Sequence, residues 1–278
     1  MTRSHGLYGV VRHQPVDERL SAQAPAAIDP PASFDATFGL TQYGMQENDR
    51  LSNCFWAWVA HAQMVQALTG LNDRQQPVYV DGFIPPGPDA AGGWYDTYLL
   101  SIGQPTTPPG NGTDIYGGAA SILSQGLAAY VGVLGGPFTP ALLRQAIVDF
   151  DGGVGFCLAL DPDAQKEFDD HVPWGTDSTT PDAEEGHCVD GCAYSAEGIV
   201  FITWGELEMS TDQFDLNCID GLVFIITQGF ITKNGQSAAD ALATKWGLTP
   251  APMVGSAPEG FLARIGHYVE REFARLSA

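Results

Sequence analysis

The chain has 278 residues, 44% of them hydrophobic, and its 33 Asp and Glu against 12 Lys and Arg give a formal charge of -21. That length and apolar content suffice for one large domain, or two modest lobes, with a real core. An acidic chain without a basic run is a poor partner for nucleic acid or anionic lipid, and no apolar stretch nears the roughly 18 residues that span a bilayer.

The N-terminal residues 1–33 are rich in Pro, Ala and polar side chains, and "QAPAAIDPPAS" reads as an extended arm that must dock on the rest of the chain or on a neighbouring molecule. The start, MTRSHGLYGVVRHQPVDERL, lacks the apolar core of a signal peptide, so a cytoplasmic site of synthesis is expected. Five cysteines, an odd number, are then expected to be reduced.

From Asn53 to about Leu68 apolar residues fall on nearly every side of a helix, which predicts a buried one. After the loop "TGLNDRQQPVYVDGFIPPGPDAAGG", helices are predicted over 94–102 and 117–130, separated by "GQPTTPPGNGTD". In "FTPALLRQAIVDF", Thr139 is a candidate N-cap and Pro140 the first helical residue, and the glycines that follow lead into a strand, "GVGFCLALD". A long acidic loop comes next. Then "HCVDGCAYS" and "GIVFITWG" predict a hairpin, followed by a short helix near Ser210, a strand "GLVFIITQG", and helices over 237–246 and 258–275. No internal repeat is visible.

Cys54 opens the buried helix, where unpaired backbone N–H groups and the helix dipole favour a thiolate. A nucleophilic thiol also needs a base. His61 lies two turns along the same helix, about 10 Å away at 1.5 Å per residue, and reads as a packed core residue. His187 follows a glycine at the mouth of a strand, where a side chain can project over a cleft.

A cysteine opening a central helix, followed about 130 residues later by a Gly-His pair entering a hairpin whose second strand ends in Trp-Gly, resembles the papain-like cysteine peptidases. The resemblance runs from about Asn48 to Trp204. It implies Cys54 as nucleophile, His187 as general base in an ion pair with it, Asn48 in the place of the family's oxyanion-binding glutamine, and Trp204 as the tryptophan that shields the third triad member. That third member, an Asn two residues before the tryptophan, is absent: the position holds Ile202, and strand parity puts Ile202 rather than Thr203 on the Trp204 side. Asp190, three residues from His187 on one strand, points to the opposite face. A closer resemblance is to a papain-like group of actinobacteria and their bacteriophages, through Asn48-Asp49-Arg50-Leu51 and Ile202-Thr203-Trp204-Gly205; this chain departs from that group at Ser52 and Asn53.

His187, Cys188, Cys192 and Cys218 fit no compact zinc spacing, because neighbouring strand residues point to opposite faces. Asp169, Asp170, Asp182, Glu184 and Glu185 lack EF-hand spacing and read as a solvated loop, and the "NGT" at Asn111 is a sequon by letter alone.

The resemblance therefore implies an α+β, papain-like fold of two lobes, one around the Cys54 helix and one built on a small antiparallel sheet. The expected organisation is an arm (1–33), a papain-like domain (34–232) and a C-terminal helical extension (233–278). Two functions are expected. One is a cysteine peptidase or related thiol acyl-hydrolase with a Cys54/His187 dyad acting on a peptide or protein, with no cofactor and no metal. The other is a catalytically weak papain-fold component of a bacteriophage particle, assembled through the arm.

Overall fold

A computed structural model of the chain describes residues 10–11, 18–106, 112–182 and 186–251. The predicted helix at 258–275, the sequon at Asn111, Glu184 and Glu185 of the acidic loop, and much of the arm's first half lie outside the described residues.

In chain order the elements are β1 (Val10–Val11), a single 3-10 turn (Glu18–Leu20), β2 (Phe34–Asp35), α1 (Cys54–Ala67), β3 (Leu68–Leu71), β4 (Pro77–Tyr79) and α2 (Ala90–Ser101). Next come β5 (Thr113–Asp114), α3 (Ile115–Ser124), β6 (Tyr130–Gly135), α4 (Pro140–Asp149), β7 (Val154–Ala159) and α5 (Ala164–Asp170). The remainder is β8 (Gly186–Tyr194), β9 (Ile199–Thr203), β10 (Glu206–Met209), α6 (Asp212–Cys218), β11 (Ile219–Ile226), α7 (Gln228–Asn234), α8 (Gln236–Trp246) and β12 (Thr249–Pro250).

The fold is mixed α and β around one large antiparallel sheet. Its strands run in the order β10-β9-β8-β7-β11-β6-β12, with β2 added on β8. Alternation along the strands divides the apolar side chains between two faces. On one, Cys157, Cys188, Val223 and Ile225 pack with Cys54, Phe55, Trp56 and Trp58 of α1 and with α2 and α3. On the other, Phe156, Leu158, Val189, Phe201, Leu222 and Phe224 pack with α4, α6 and α8, where Trp246 meets Phe150 and Phe224. Residues within the expected C-terminal extension thus contribute to this core.

Helix α1 is buried on every side because sheet, helices and loops surround it. Its Trp58 covers Gly155, where a Cβ would lie 2.6 Å from the indole, and its Val65 and Gln66 reach Gly152 and Gly153 in the same way. At its far end Gln66 donates to the carbonyls of Phe150 and Ile225 and accepts from the N–H of Thr227, which satisfies three backbone groups at once. Along β8 the contacts are ordered: Cys54 near Cys188, Trp58 facing Asp190, Val65 near the carbonyl end of Cys192. The first turn of α1 therefore sits at the end of the sheet where β8 begins.

Several expected elements take a different form. The predicted helix over 117–130 ends at Ser124, because Gly126 turns the chain at φ 70°, and Tyr130–Gly135 becomes strand β6. The helix over 94–102 begins earlier, at Ala90, and the acidic segment contains α5. That segment is ordered by two buried carboxylates: Asp161 accepts from Asp163 N, Ser178 Oγ and Thr180 N, and Glu167 from Gly175 N and Asp177 N. Helix α4 starts as the sequence predicts, with Thr139 Oγ1 accepting from Leu142 N and Pro140 first.

The described part of the arm lies along its own chain. Ala22 N donates to Val133 O, Gln23 N to Trp246 O, Asp29 N to Gln145 Oε1, and Tyr194 Oη to Pro31 O. Further upstream, β1 pairs in parallel with β5 and also touches β8.

Candidate functional site

His187 is the second residue of β8, opposite Leu158 of β7, and it is 1% exposed. By alternation it shares a face with Val189 rather than with Cys188. Its ring stacks on that of Trp204, with centroids 5.0 Å apart and planes at 24°. Trp204 is held edge-on by Phe168 and Trp174 behind it. His187 Nε2 lies 3.0 Å from Thr203 Oγ1, a shared hydrogen bond.

This contact corrects the parity argument that favoured Ile202. Strand β9 ends at Thr203, and Trp204 and Gly205, at φ 45° and 81°, form the two-residue turn of a tight hairpin into β10, with Thr203 opposite Glu206. Trp204 is thus a turn residue, and counting back by two from it does not report strand direction. Ile202 points instead toward α1, with Tyr43, Val65 and Cys192, while Thr203 shares the His187 face with Phe201. The isoleucine in the family's asparagine position has no place beside the imidazole.

Cys54 is fully buried at the first turn of α1. The β8 neighbour whose side chain shares its apolar cluster is Cys188, which pairs in register with Cys157 across β7. Three thiols therefore converge at this end of the sheet, a feature that the spacing test for zinc did not anticipate. All five cysteines are buried, and none of them forms a disulfide. His187, on the reverse face of the same strand end, is brought to the same end of the sheet as Cys54, with Trp204 and Thr203 around it.

Asn48 lies in the loop that connects these two parts. Tyr43 N donates to Gly205 O, and the backbone of Gly44 and Met45 presses on Gly205, where a Cβ would lie 2.9 Å from the Gly44 carbonyl carbon. Downstream, Asn53 Nδ2 donates to Gln46 O, fastening the loop to the start of α1. Gln46 and Glu47 turn it at positive φ, 54° and 61°. Asn48 is 3% exposed, and its Oδ1, like Gln46 Oε1 and Asn53 Oδ1, has no hydrogen-bond partner among the described residues. Buried amides with unspent capacity are uncommon and suit a site that receives a polar ligand. Gln46 and Asn53 were assigned no site role from the sequence, although "QENDRLSN" carries the amides in plain view.

No family model and no curated protein matches this chain.

Burial sets the electrostatics. It pushes the His187 imidazole down to about 3 and that of His61, whose Nε2 donates to Gly44 O, down to about 4. His187 is thus held neutral near pH 7, unlike the resting imidazolium that the family resemblance implies. Asp190 faces Trp58 on the α1 side, and burial raises its carboxyl well above the usual carboxylate range.

A pH dependence of stability follows. An unfolded histidine binds a proton below about 6.5. Between there and the folded values of about 3 and about 4, the unfolded chain holds more protons, so stability falls as pH falls through that window. Glu208 and Asp215, raised by burial to about 8 and about 7, act in the opposite sense. Their contribution is complete below the ordinary carboxylate range and is lost progressively from there as pH rises to about 7 and about 8. Urea midpoints are expected to fall between pH 6 and pH 9, and Glu208→Gln is expected to flatten that decline. A flat wild-type profile across that range would contradict the assignment.

Proposed function

We propose that the protein is a papain-like thiol acyl-hydrolase, a cysteine peptidase in the first instance, with Cys54 as nucleophile and His187 as general base. The observation that carries this reading is the course of α1 along β8, which brings the first turn of the helix and the Trp204-stacked imidazole to one end of the sheet, on opposite faces of β8, so that proton transfer between them requires the site to open. The neutral imidazole takes the thiol proton as sulfur attacks a peptide or amide carbonyl, forming the S–C bond and an oxyanion. The Cys54 N–H, in the first turn of the helix, and the Asn48 Nδ2–H are the donors suited to that oxyanion. Collapse expels the amine with the proton held by His187, and water, deprotonated by the same ring, then releases the acid.

One observation favours a second reading, a papain-fold component of a bacteriophage particle without turnover. Cys54, His187 and Asn48 are all buried, at 0%, 1% and 3% exposure, so a substrate needs the site to open. Residues of the 21–35 segment, which includes the end of the arm, hydrogen-bond to their own chain. Among the described residues no helix is long and apolar enough to cross a membrane.

Alkylation of Cys54 by iodoacetamide at pH 7, followed by peptide mass spectrometry, separates the two. General-base assistance is commonly worth about 10²-fold or more, so His187→Ala is expected to slow labelling at least about tenfold. Equal rates in wild type and variant would leave the non-catalytic reading.

A further inference from the structure

The proposed dyad has an imidazole but no asparagine to orient it, and the structure offers another group. We infer that Thr203 is the positioning residue of His187, fixing which ring nitrogen carries the proton. The inference rests on the reading of His187 as base and adds the residue that selects its tautomer.

The geometry is specific. Thr203 is 2% exposed and shares the His187 face of the sheet, with its Oγ1 3.0 Å from Nε2. It is the last residue of β9, braced opposite Glu206 by the turn at Trp204 and Gly205. The same turn lays the Trp204 ring on the imidazole, so one hairpin end supplies both the stacking surface and the hydrogen bond. A β-branched residue on a strand has restricted χ1, which keeps the hydroxyl aimed.

The chemical consequence is a choice of tautomer. When Oγ1 accepts from Nε2–H, the neutral ring has an unprotonated Nδ1, and that nitrogen takes the thiol proton. The imidazolium then formed keeps Nε2–H on Thr203. A hydroxyl differs from a carboxamide oxygen in that it can also donate; in that state Nε2 is the acceptor, Nδ1 bears the proton, and the base is switched off. Thr203 therefore orients the ring less absolutely than an amide would, and a modest rate with a shifted pH profile is the expected signature.

The test uses the full chain labelled with 15N-histidine, the His187 signals assigned by their loss in His187→Gln. Wild type is expected to show the Nε2–H tautomer in majority, with Nδ1 unprotonated near pH 7. Thr203→Val, which keeps the shape and removes the hydroxyl, is expected to mix or invert the tautomers and to slow Cys54 alkylation at least about tenfold, the size of a lost general-base advantage. Thr203→Ser is expected to restore both. An unchanged tautomer in Thr203→Val, or no rescue by serine, would overturn the inference. The nitrogen spectrum does not depend on turnover: if His187→Ala leaves labelling unchanged while Thr203→Val still shifts the tautomer, the hydrolase reading fails and the positioning contact stands.

Discussion

Cys54→Ala is expected to reduce hydrolysis of a denatured protein substrate by at least about 10³-fold, the scale on which a covalent nucleophile is normally lost. No other thiol at the site can replace it. Cys188 shares its cluster but sits within strand β8 rather than at a helix start, and burial and the neighbouring Cys157 thiol raise Cys188 well above the usual thiol range. Cys54 alone among the five thiols stands at the start of a helix of 14 residues, where Asn53 O accepts from the N–H groups of Trp56 and Ala57. Cys188→Ala is therefore the matched control and is expected to retain activity. Because nucleophile and base act as a unit, the Cys54→Ala/His187→Ala pair is expected to be no slower than Cys54→Ala alone. Hydrolysis that survives Cys54→Ala would remove the thiol mechanism. A Cys188→Ala variant as inactive as Cys54→Ala would transfer the role to the wrong sulfur and require a different site.

What could be read in advance divides along a physical line. Helix α1 was legible because apolar residues surround it, and such a pattern has no other stable destination than a core. The β8–β9 hairpin and the Thr139 cap were legible because they rest on residues close in sequence. Strand β6 was not: "SQGLAAY" carries alanine and leucine in helical proportion, and only the left-handed turn at Gly126 and pairing with β11 and β12 decide its state. The third residue of the site was misread for a related reason. "TWGE" lacks the Asn-Gly signature of a two-residue hairpin turn, so Trp204 passed for a strand residue and drew Ile202 into the site by parity. The Thr203–His187 bond joins residues far apart in the chain, and a periodic pattern cannot predict it without the correct turn.

The second large effect is expected where α1 meets the sheet. Trp58 is 1% exposed, its indole lies over Gly155, and Phe55 packs edge-on to it at 5.2 Å. Trp58→Ala removes the largest side chain at this contact and is expected to cost about 3–5 kcal/mol, the usual range for buried aromatics. Gly155→Val attacks the same contact from the sheet: its Cβ would lie 2.6 Å from the indole, so either the ring or the helix must move. Over-packing of this kind costs about 1–3 kcal/mol. The ring is confined by Phe55 and the Asp190 carboxyl, and the helix is pinned at its far end by Gln66. The strain is therefore expected to tilt the opposite end of α1, the end that carries Cys54, and to lower Cys54 reactivity beyond what lost stability explains. Shrinking the ring should relieve it. The Trp58→Phe/Gly155→Ala pair is expected to be more stable than the sum of its single changes, measured by urea midpoints, since residues in contact couple by about 0.5–3 kcal/mol. Strict additivity would mean that ring and glycine do not bear on each other, and α1 would then need another anchor to hold its first turn against β8.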